Sequence, residues 1–274
     1  MRFTTGKPEF DLTYDDVFMS PTRSSVRSRM DVDLTSTDGL SLPTPLVVAN
    51  MTAISGRRMA ETVARRGAIA IIPQDLSRAA ASTAIARVKG GHPVFDTPIT
   101  ITPDTIVADA LPLVAKRAHG VAVVLEGRRP VGLVSVSEAS GVDRFVPVHE
   151  VMTTDLTLVP ATATPGEVFD TLTETRRKIA IAVDEAGDLV GVLTTKGAMR
   201  SAIYSPATDA QGRLAIGAAV GISREAADRA RLLLEQGADV LVMDTAHGHQ
   251  DRMLETIVAV REIRDAHQAA TGVR

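Results

Sequence analysis

The densest run of chemistry-bearing residues is Asp244-Thr245-Ala246-His247-Gly248-His249, directly after the apolar stretch Val240-Leu241-Val242-Met243. Four consecutive apolar residues suit a strand buried on both faces. The abrupt change to a carboxylate, a hydroxyl and two imidazoles places hydrogen-bonding groups at the strand's C-terminal end. That is where α/β barrels and doubly wound sheets hold their ligands. An aspartate fixed there can accept hydrogen bonds from the two hydroxyls of a ribose. Alternatively, Asp244 or Thr245 caps the following helix. His247 and His249, two residues apart, could suggest a metal. With no cysteine in the chain and no third ligand in the pattern, the spacing favours a loop that lines a ligand.

Positioning these groups requires alternating strands and helices. Pro45 to Met51 reads as an apolar strand ending in Ala49-Asn50-Met51, followed by a helix from Arg57 to Arg66 with Met59 and Val63 on one face and Gly67 as its stop. Ala68 to Ile72 is a second strand, and Ser77 to Lys89 a helix with Ala81, Ile85 and Val88 at helical spacing. Leu214 to Val220 is a third strand. Ser223 is the expected cap of a helix lined by Ala226, Ala230 and Leu233 and closed by Gly237. After Val240–Met243, a last helix is expected to turn Met253, Leu254, Ile257 and Val260 inward. These four βα units predict four parallel strands with helices outside.

Between the second and third units lies an internal repeat. Thr102-Pro103-Asp104-Thr105, a helix around Ala108 to Arg117, Val121 to Leu125 and Val131-Gly132-Leu133-Val134-Ser135 recur as Val159-Pro160-Ala161-Thr162, a helix around Pro165 to Arg176, Ile179 to Val183 and Val190-Gly191-Val192-Leu193-Thr194. Each copy is a strand, a helix and a hairpin with a polar turn, and two copies can bury their open sheet faces on each other. The expected division is therefore residues 1–92 as a first βα part, 93–206 as the inserted repeat, and 207–274 as a second βα part. Gly90-Gly91 reads as a linker turn, not a phosphate cradle.

Composition narrows the function. A net charge of −3 from 30 basic and 33 acidic residues provides no field for nucleic acid or an anionic membrane. Aromatic residues are 3% of the chain, with no Trp, which disfavours base-stacking surfaces. No apolar run approaches the ~20 residues of a membrane span and the start lacks a signal-peptide core, so the chain reads as cytoplasmic. The absence of cysteine excludes disulfides, thiolate zinc sites and a cysteine nucleophile in this chain.

Leu12-Thr13-Tyr14-Asp15-Asp16-Val17 with Pro21, Pro45–Met51, Gly217-Ala218-Ala219-Val220-Gly221 and Asp244–His249 occur in that order. Together they resemble the motifs of the IMP dehydrogenase/GMP reductase family, and the repeat is similar to the pair of CBS motifs that the family carries at the same position. Asn50-Met51-Thr52, where dehydrogenases of the family typically have Ala-Met-Asp, leans toward its CBS-containing actinobacterial GMP reductase branch. The resemblance implies an α/β fold: the first four βα units of a (β/α)8 TIM barrel with an inserted tandem CBS (Bateman) domain. The chain is read as an N-terminal half, and the rest of the barrel would carry the catalytic cysteine and the monovalent-cation site.

In the complete family enzyme a cysteine attacks the purine C2 and a nicotinamide accepts or delivers hydride there. The resemblance thus implies an oxidoreductase of purine salvage, NADPH-dependent GMP reduction to IMP, with NAD-dependent IMP dehydrogenation as the alternative. A rival reading is a catalytically inactive nucleotide-binding CBS module. No catalytic residue is assigned in this chain, and no metal. Asp244, Thr245, Ala246 and His247 are expected at the nicotinamide ribose. Ala49, Asn50 and Met51 are expected at the purine monophosphate, with core packing as the alternative for Met51. A regulatory adenine or guanine nucleotide is expected at Ser135, Glu138 and Thr194. Glu138 keeps the ribose-binding carboxylate of the family's Ser/Thr-x-x-Asp run, one methylene longer, and Gly197 has lost it, so a site is expected on the Glu138 side and not at Gly197. Lys196, Arg200 and Arg213 are read as solvated surface, placed where the phosphates of that nucleotide could reach. A homotetramer or octamer is implied for the full-length enzyme.

Overall fold

The computed structural model describes residues 6–37, 39–114 and 119–272. The backbone divides into a short unit, Met1–Leu34, and a large one, Thr35–Arg274. In the short unit, Tyr14–Asp16 and Arg29–Asp31 are single 3-10 turns, each preceded by a hydroxyl residue and closed by its own aspartate. Asp16 Oδ2 accepts from both the backbone and the hydroxyl of Thr13 at 2.8 Å, so the Leu12–Val17 motif uses its second carboxylate locally.

The large unit runs β1 (Val47–Val48), α1 (Arg57–Ala64), β2 (Ile69–Ile72), α2 (Arg78–Lys89), β3 (Ile99–Ile101), α3 (Val107–Val114), β4 (Val121–Glu126), β5 (Arg129–Ser135) and α4 (Val136–Ala139). It continues with β6 (Leu158–Pro160), α5 (Pro165–Glu174), β7 (Ile179–Val183), β8 (Leu189–Thr194), α6 (Thr195–Ser201), β9 (Gly217–Val220), α7 (Ala226–Glu235), β10 (Val240–Met243) and α8 (Asp251–Thr271). Residues 115–118, the end expected for the helix after Ala108, lie outside the described residues. No helix among the described residues is long and apolar enough to cross a membrane.

β1, β2, β9 and β10 form one parallel sheet in that order, with Val47 opposite Ile69, Ile71 opposite Gly217 and Gly217 opposite Val240. β2 and β9 are buried along their whole length because each has a neighbour on both sides and helices over it. β10 is only half-buried, against the expectation of a fully buried strand, because it pairs with β9 alone. The helical faces also differ in detail. α1 buries Ala60, Glu61 and Ala64 and leaves Met59 exposed. α8 buries Met253 and Val260, while Leu254 and Ile257 are exposed. α7 begins at Ala226, and it is the Ser223 carbonyl, not its hydroxyl, that accepts from the Ala226 N–H. α2 follows its signals: Ser77 Oγ accepts from Ala80 N at 3.2 Å, and Ala81, Ile85 and Val88 are buried.

The repeat forms two three-stranded sheets of identical topology, β3-β4-β5 and β6-β7-β8, each with a parallel first pair and an antiparallel hairpin. Val123 and Leu133 of one sheet pack on Ile181 and Val192 of the other. The segment entering each copy crosses to the other sheet: Asp96 bridges Val192 and Thr153 bridges Leu133. This exchange explains the two glycines of the repeat. A Cβ on Gly191 would sit 2.7 Å from Phe95 Cβ, and one on Gly132 would collide with Met152. Phe95 and Met152 are the residues delivered by the crossing segments.

Two charged clusters fix the ends of the parallel sheet. Arg65 at the end of α1 is buried and grips the chain entering the repeat: Nε donates to His92 O at 2.9 Å, and the other nitrogens reach Thr97 Oγ1 at 3.2 Å and Asp96 Oδ1 at 3.5 Å. Burial lowers its pKa, which Asp96 and Glu61 partly offset. At the N-terminal ends of β9 and β10, Lys89 Nζ lies 2.9 Å from Asp209 Oδ2 and 2.8 Å from both oxygens of Asp239. Asp239 also accepts the Ile216 N–H at 2.7 Å. This is the face of such a sheet devoted to stability, opposite the ligand face.

Candidate functional site

Three of the four strands of the parallel sheet lead to a polar side chain at the same, C-terminal edge, and the fourth leads to a glycine. β1 leads to Asn50, β2 through Pro73 to Gln74, β9 to Gly221 and β10 to Asp244, whose N–H is held by Val220 O at 2.9 Å. These ends meet on one carboxylate oxygen. Asn50 Nδ2 donates to Asp244 Oδ2 at 2.7 Å, and Gln74 Nε2 donates to the same atom at 2.9 Å. Among the described residues no donor occupies Oδ1, so that oxygen keeps its capacity to accept hydrogen bonds. Thr52 Oγ1 donates to Asp75 Oδ2 at 2.6 Å and ties the first two loops together again.

Beside Gln74 and Gly221 lies an open depression of about 530 Å³, lined also by Asp75, Ser223 and Arg229. Arg229 shapes it from beneath, donating to the carbonyls of Leu76 at 3.0 Å, Pro73 at 3.3 Å and Ala219 at 3.4 Å.

The helix-cap alternative for Asp244 and Thr245 does not hold, because α8 starts at Asp251 and its N-cap is Gln250. Thr245 Oγ1 instead accepts from Gln250 Nε2 at 2.8 Å. His247 Nδ1 accepts the His249 N–H at 3.1 Å, and the two rings stand edge to face 6.2 Å apart. Ala246, His247 and His249 are exposed and form the outer wall of the loop. Among the described residues, no three His, Asp or Glu side chains gather as a metal site. Ala49 is exposed and Met51 is 56% exposed, so Met51 is not core filling. A tight turn, with Ile54 and Ser55 N–H both on Met51 O, presents it.

Gln74 was not legible as a site residue. Its signal is a polar side chain directly after the buried strand Ile69–Ile72 and Pro73, the same pattern that marks Asp244 after Met243.

In the repeat, the expected regulatory residues are separated. Glu138 completes a capping box on α4: its carboxylate accepts from Ser135 N at 2.7 Å and Thr153 Oγ1 at 3.2 Å. Burial works against its ionisation, but the bonds from Ser135 and Thr153 prevail and hold it below the usual carboxylate range. A cavity of about 360 Å³ lies at the other end, where α1 and α6 approach, lined by Arg65, Asp96, Thr97, Thr194, Lys196 and Arg200. Thr194 Oγ1 there accepts from Gly197 N at 3.0 Å. Lys196 and Arg200 are exposed, as expected of surface residues, and border this cavity.

A parallel α/β sheet with polar side chains gathered at its strands' C-terminal ends is the arrangement of α/β barrels and doubly wound sheets. The chain belongs to the IMP dehydrogenase/GMP reductase domain family, whose model matches residues 11–273. It is 54% identical to the GMP reductase of Mycobacterium tuberculosis over 261 residues, 95% of this chain and 54% of that protein. It is 36% identical to the inosine-5'-monophosphate dehydrogenase of Halalkalibacterium halodurans over 258 residues, 92% of this chain and 53% of that protein. The structure of Trypanosoma brucei GMP reductase in complex with guanosine 5'-triphosphate superposes with a TM-score of 0.63 at 28% identity, covering 94% of this chain and 64% of that one. The chain spans about half the length of the curated relatives it matches.

Proposed function

We propose that the chain supplies the first four βα units, and an inserted CBS pair over residues 93–206, of a purine-nucleotide oxidoreductase of the GMP reductase type. The observation that carries this reading is the joining of Asn50, beside the exposed Met51, to Asp244 across the strand ends. One loop then faces a purine monophosphate and the other the ribose of a nicotinamide nucleotide. The greater identity to a GMP reductase, 54% against 36% for a dehydrogenase, favours reduction of GMP with NADPH over oxidation of IMP with NAD.

The residues present fit a ribose. Asp244 offers an open Oδ1, its partner Gln74 borders a depression, and Thr245, Ala246 and His247 continue the loop from Asp244. The nicotinamide supplies hydride when bound. This chain's residues bind and orient, and its lack of cysteine leaves the covalent step of the family without a nucleophile. The 274-residue chain should therefore bind GMP and reduced nicotinamide dinucleotide in calorimetric titrations yet give no GMP-dependent loss of reduced-nicotinamide absorbance. Tighter binding of IMP and NAD than of GMP and NADPH would shift the assignment to the dehydrogenase. Measurable turnover would show that a cysteine is dispensable.

The CBS pair is proposed to take an adenine or guanine nucleotide, and Ser135, Glu138 and Thr194 are its candidate contacts. Against the expectation from the lost carboxylate at Gly197, the cavity at Thr194 supports the second repeat as the stronger site, with the exposed Lys196 and Arg200 placed for phosphates. At a hundredfold excess over the dissociation constant, ATP or GTP should stabilise the chain by about 2.7 kcal/mol. Thr194→Val should shrink that shift more than Glu138→Ala. A denaturation curve unmoved by ATP, GTP and AMP would leave the pair a structural element, the rival reading.

A further inference from the structure

Gln74 is exposed, yet three features of the fold are arranged around its amide. Its Nε2 shares Asp244 Oδ2 with the Asn50 amide, at 2.9 Å and 2.7 Å. Its Oε1 occupies the space over Gly221, where a Cβ would collide with it. Its backbone segment is anchored by Arg229, which donates to the carbonyls on either side of it, those of Pro73 and Leu76. Three consecutive strand ends, those of β2, β9 and β10, are thereby joined through one side chain, and Asn50 brings the end of β1 to the same carboxylate. Gln74 and Asn50 reach the carboxylate from different strands, so they fix its plane as well as its position.

From this geometry we infer that Gln74 is the positioning residue for Asp244, and that with Asn50 it forms an amide clamp that turns Oδ1 toward the ribose hydroxyl of a nicotinamide nucleotide. The inference rests on the dinucleotide reading of Asp244. Two donors on Oδ2 leave one oxygen for the ligand, and they prevent the carboxyl from rotating to offer either. Gly221 is glycine at this point because the Gln74 amide needs the volume a side chain would fill. Asn50 then acts through Asp244 as well, coupling the loop beside Met51 to the loop that holds the ribose.

The test is a fluorescence titration of the chain with NADPH, with circular dichroism confirming the fold of each variant. Gln74→Leu removes the donor and should weaken binding about tenfold, as expected for a lost hydrogen bond to a charged group. Gly221→Ala leaves Gln74 in the sequence but displaces its amide, and should weaken binding to a similar degree. Gln74→Glu gives a readout that packing alone would not move. Ionised, the new carboxylate repels Asp244 and donates nothing. Protonated, it donates as the amide does, and its proximity to Asp244 raises its pKa. Binding by Gln74→Glu should therefore recover as pH falls from about 8 to about 5, while binding by Gln74→Leu should not.

Equal affinities for the parent chain, Gln74→Leu and Gly221→Ala would overturn the inference and leave the dinucleotide reading standing. Gln74→Glu and Gln74→Leu showing the same pH profile would also overturn it, since donation would then be irrelevant. A parent chain that binds no reduced nicotinamide nucleotide would overturn the dinucleotide reading and this inference with it.

Discussion

Replacing Lys89 with methionine should cost the chain about 3–5 kcal/mol of stability, the range for stripping the partner from a buried ion pair. Only 5% of the Lys89 side chain is exposed, and its ammonium faces Asp209, 10% exposed, and Asp239, 21% exposed. Methionine fills the same volume but leaves two carboxylates in one poorly solvated site. Asp209 retains its bond from Arg213 Nε at 2.9 Å, so Asp239 suffers most. Burial already raises the pKa of Asp239, with Lys89 opposing the rise.

The sign of the pH dependence follows from that. A carboxyl whose folded pKa lies above its unfolded value favours folding while protonated, and loses that contribution as pH climbs through the folded pKa. Without Lys89 the rise is larger, so the deficit of Lys89→Met relative to the parent should be smallest near about pH 5 and grow toward about pH 8. Urea unfolding at the two pH values measures it. A pH-independent deficit under about 1 kcal/mol would mean that water reaches the cluster and that it behaves as a surface ion pair. Adding Asp239→Asn to Lys89→Met should restore part of the loss, because the uncompensated charge is then gone.

Asp244→Ala should abolish most nicotinamide-nucleotide binding. Each hydrogen bond between a ribose hydroxyl and the carboxylate is worth about 1.5–3 kcal/mol, a tenfold or greater change in dissociation constant. The substitution also leaves the Asn50 and Gln74 amides without their shared acceptor. Both are close enough to solvent to find water, so the chain itself should lose little stability. GMP affinity should fall far less than NADPH affinity, since Met51 is presented by its own backbone turn. The pair of titrations decides the matter: equal losses for GMP and NADPH would point to a general collapse of the strand ends, and no loss for either would remove Asp244 from ligand binding.

The strand order was legible because apolar runs such as Ile69–Ile72 and Gly217–Val220, separated by helices, allow few arrangements of parallel strands. The 59-residue offset between Gly132 and Gly191 likewise exposed the repeat, since two identical folding units must reuse the same turn and strand residues. Asp244 stood out through the break from Met243 to a carboxylate.

Tertiary structure decided the rest. Sequence spacing along a helix cannot say which stripe faces inward when charged pairs compete for burial. α1 therefore turned Glu61 inward between Arg57 and Arg65 and left Met59 outside. Spacing is equally silent about segments that cross between repeats, so the reasons for Gly132 and Gly191 emerged only once Met152 and Phe95 were seen above them. Glu138 read as a ligand group by its place in a motif, but a carboxylate three residues after a hydroxyl at a helix start is also a capping box, and only the structure showed that it makes one. Gln74 lies 170 residues from Asp244. Nothing in the chain between them announces the contact, which exists because parallel strands bring all their C-terminal ends to one edge of the sheet.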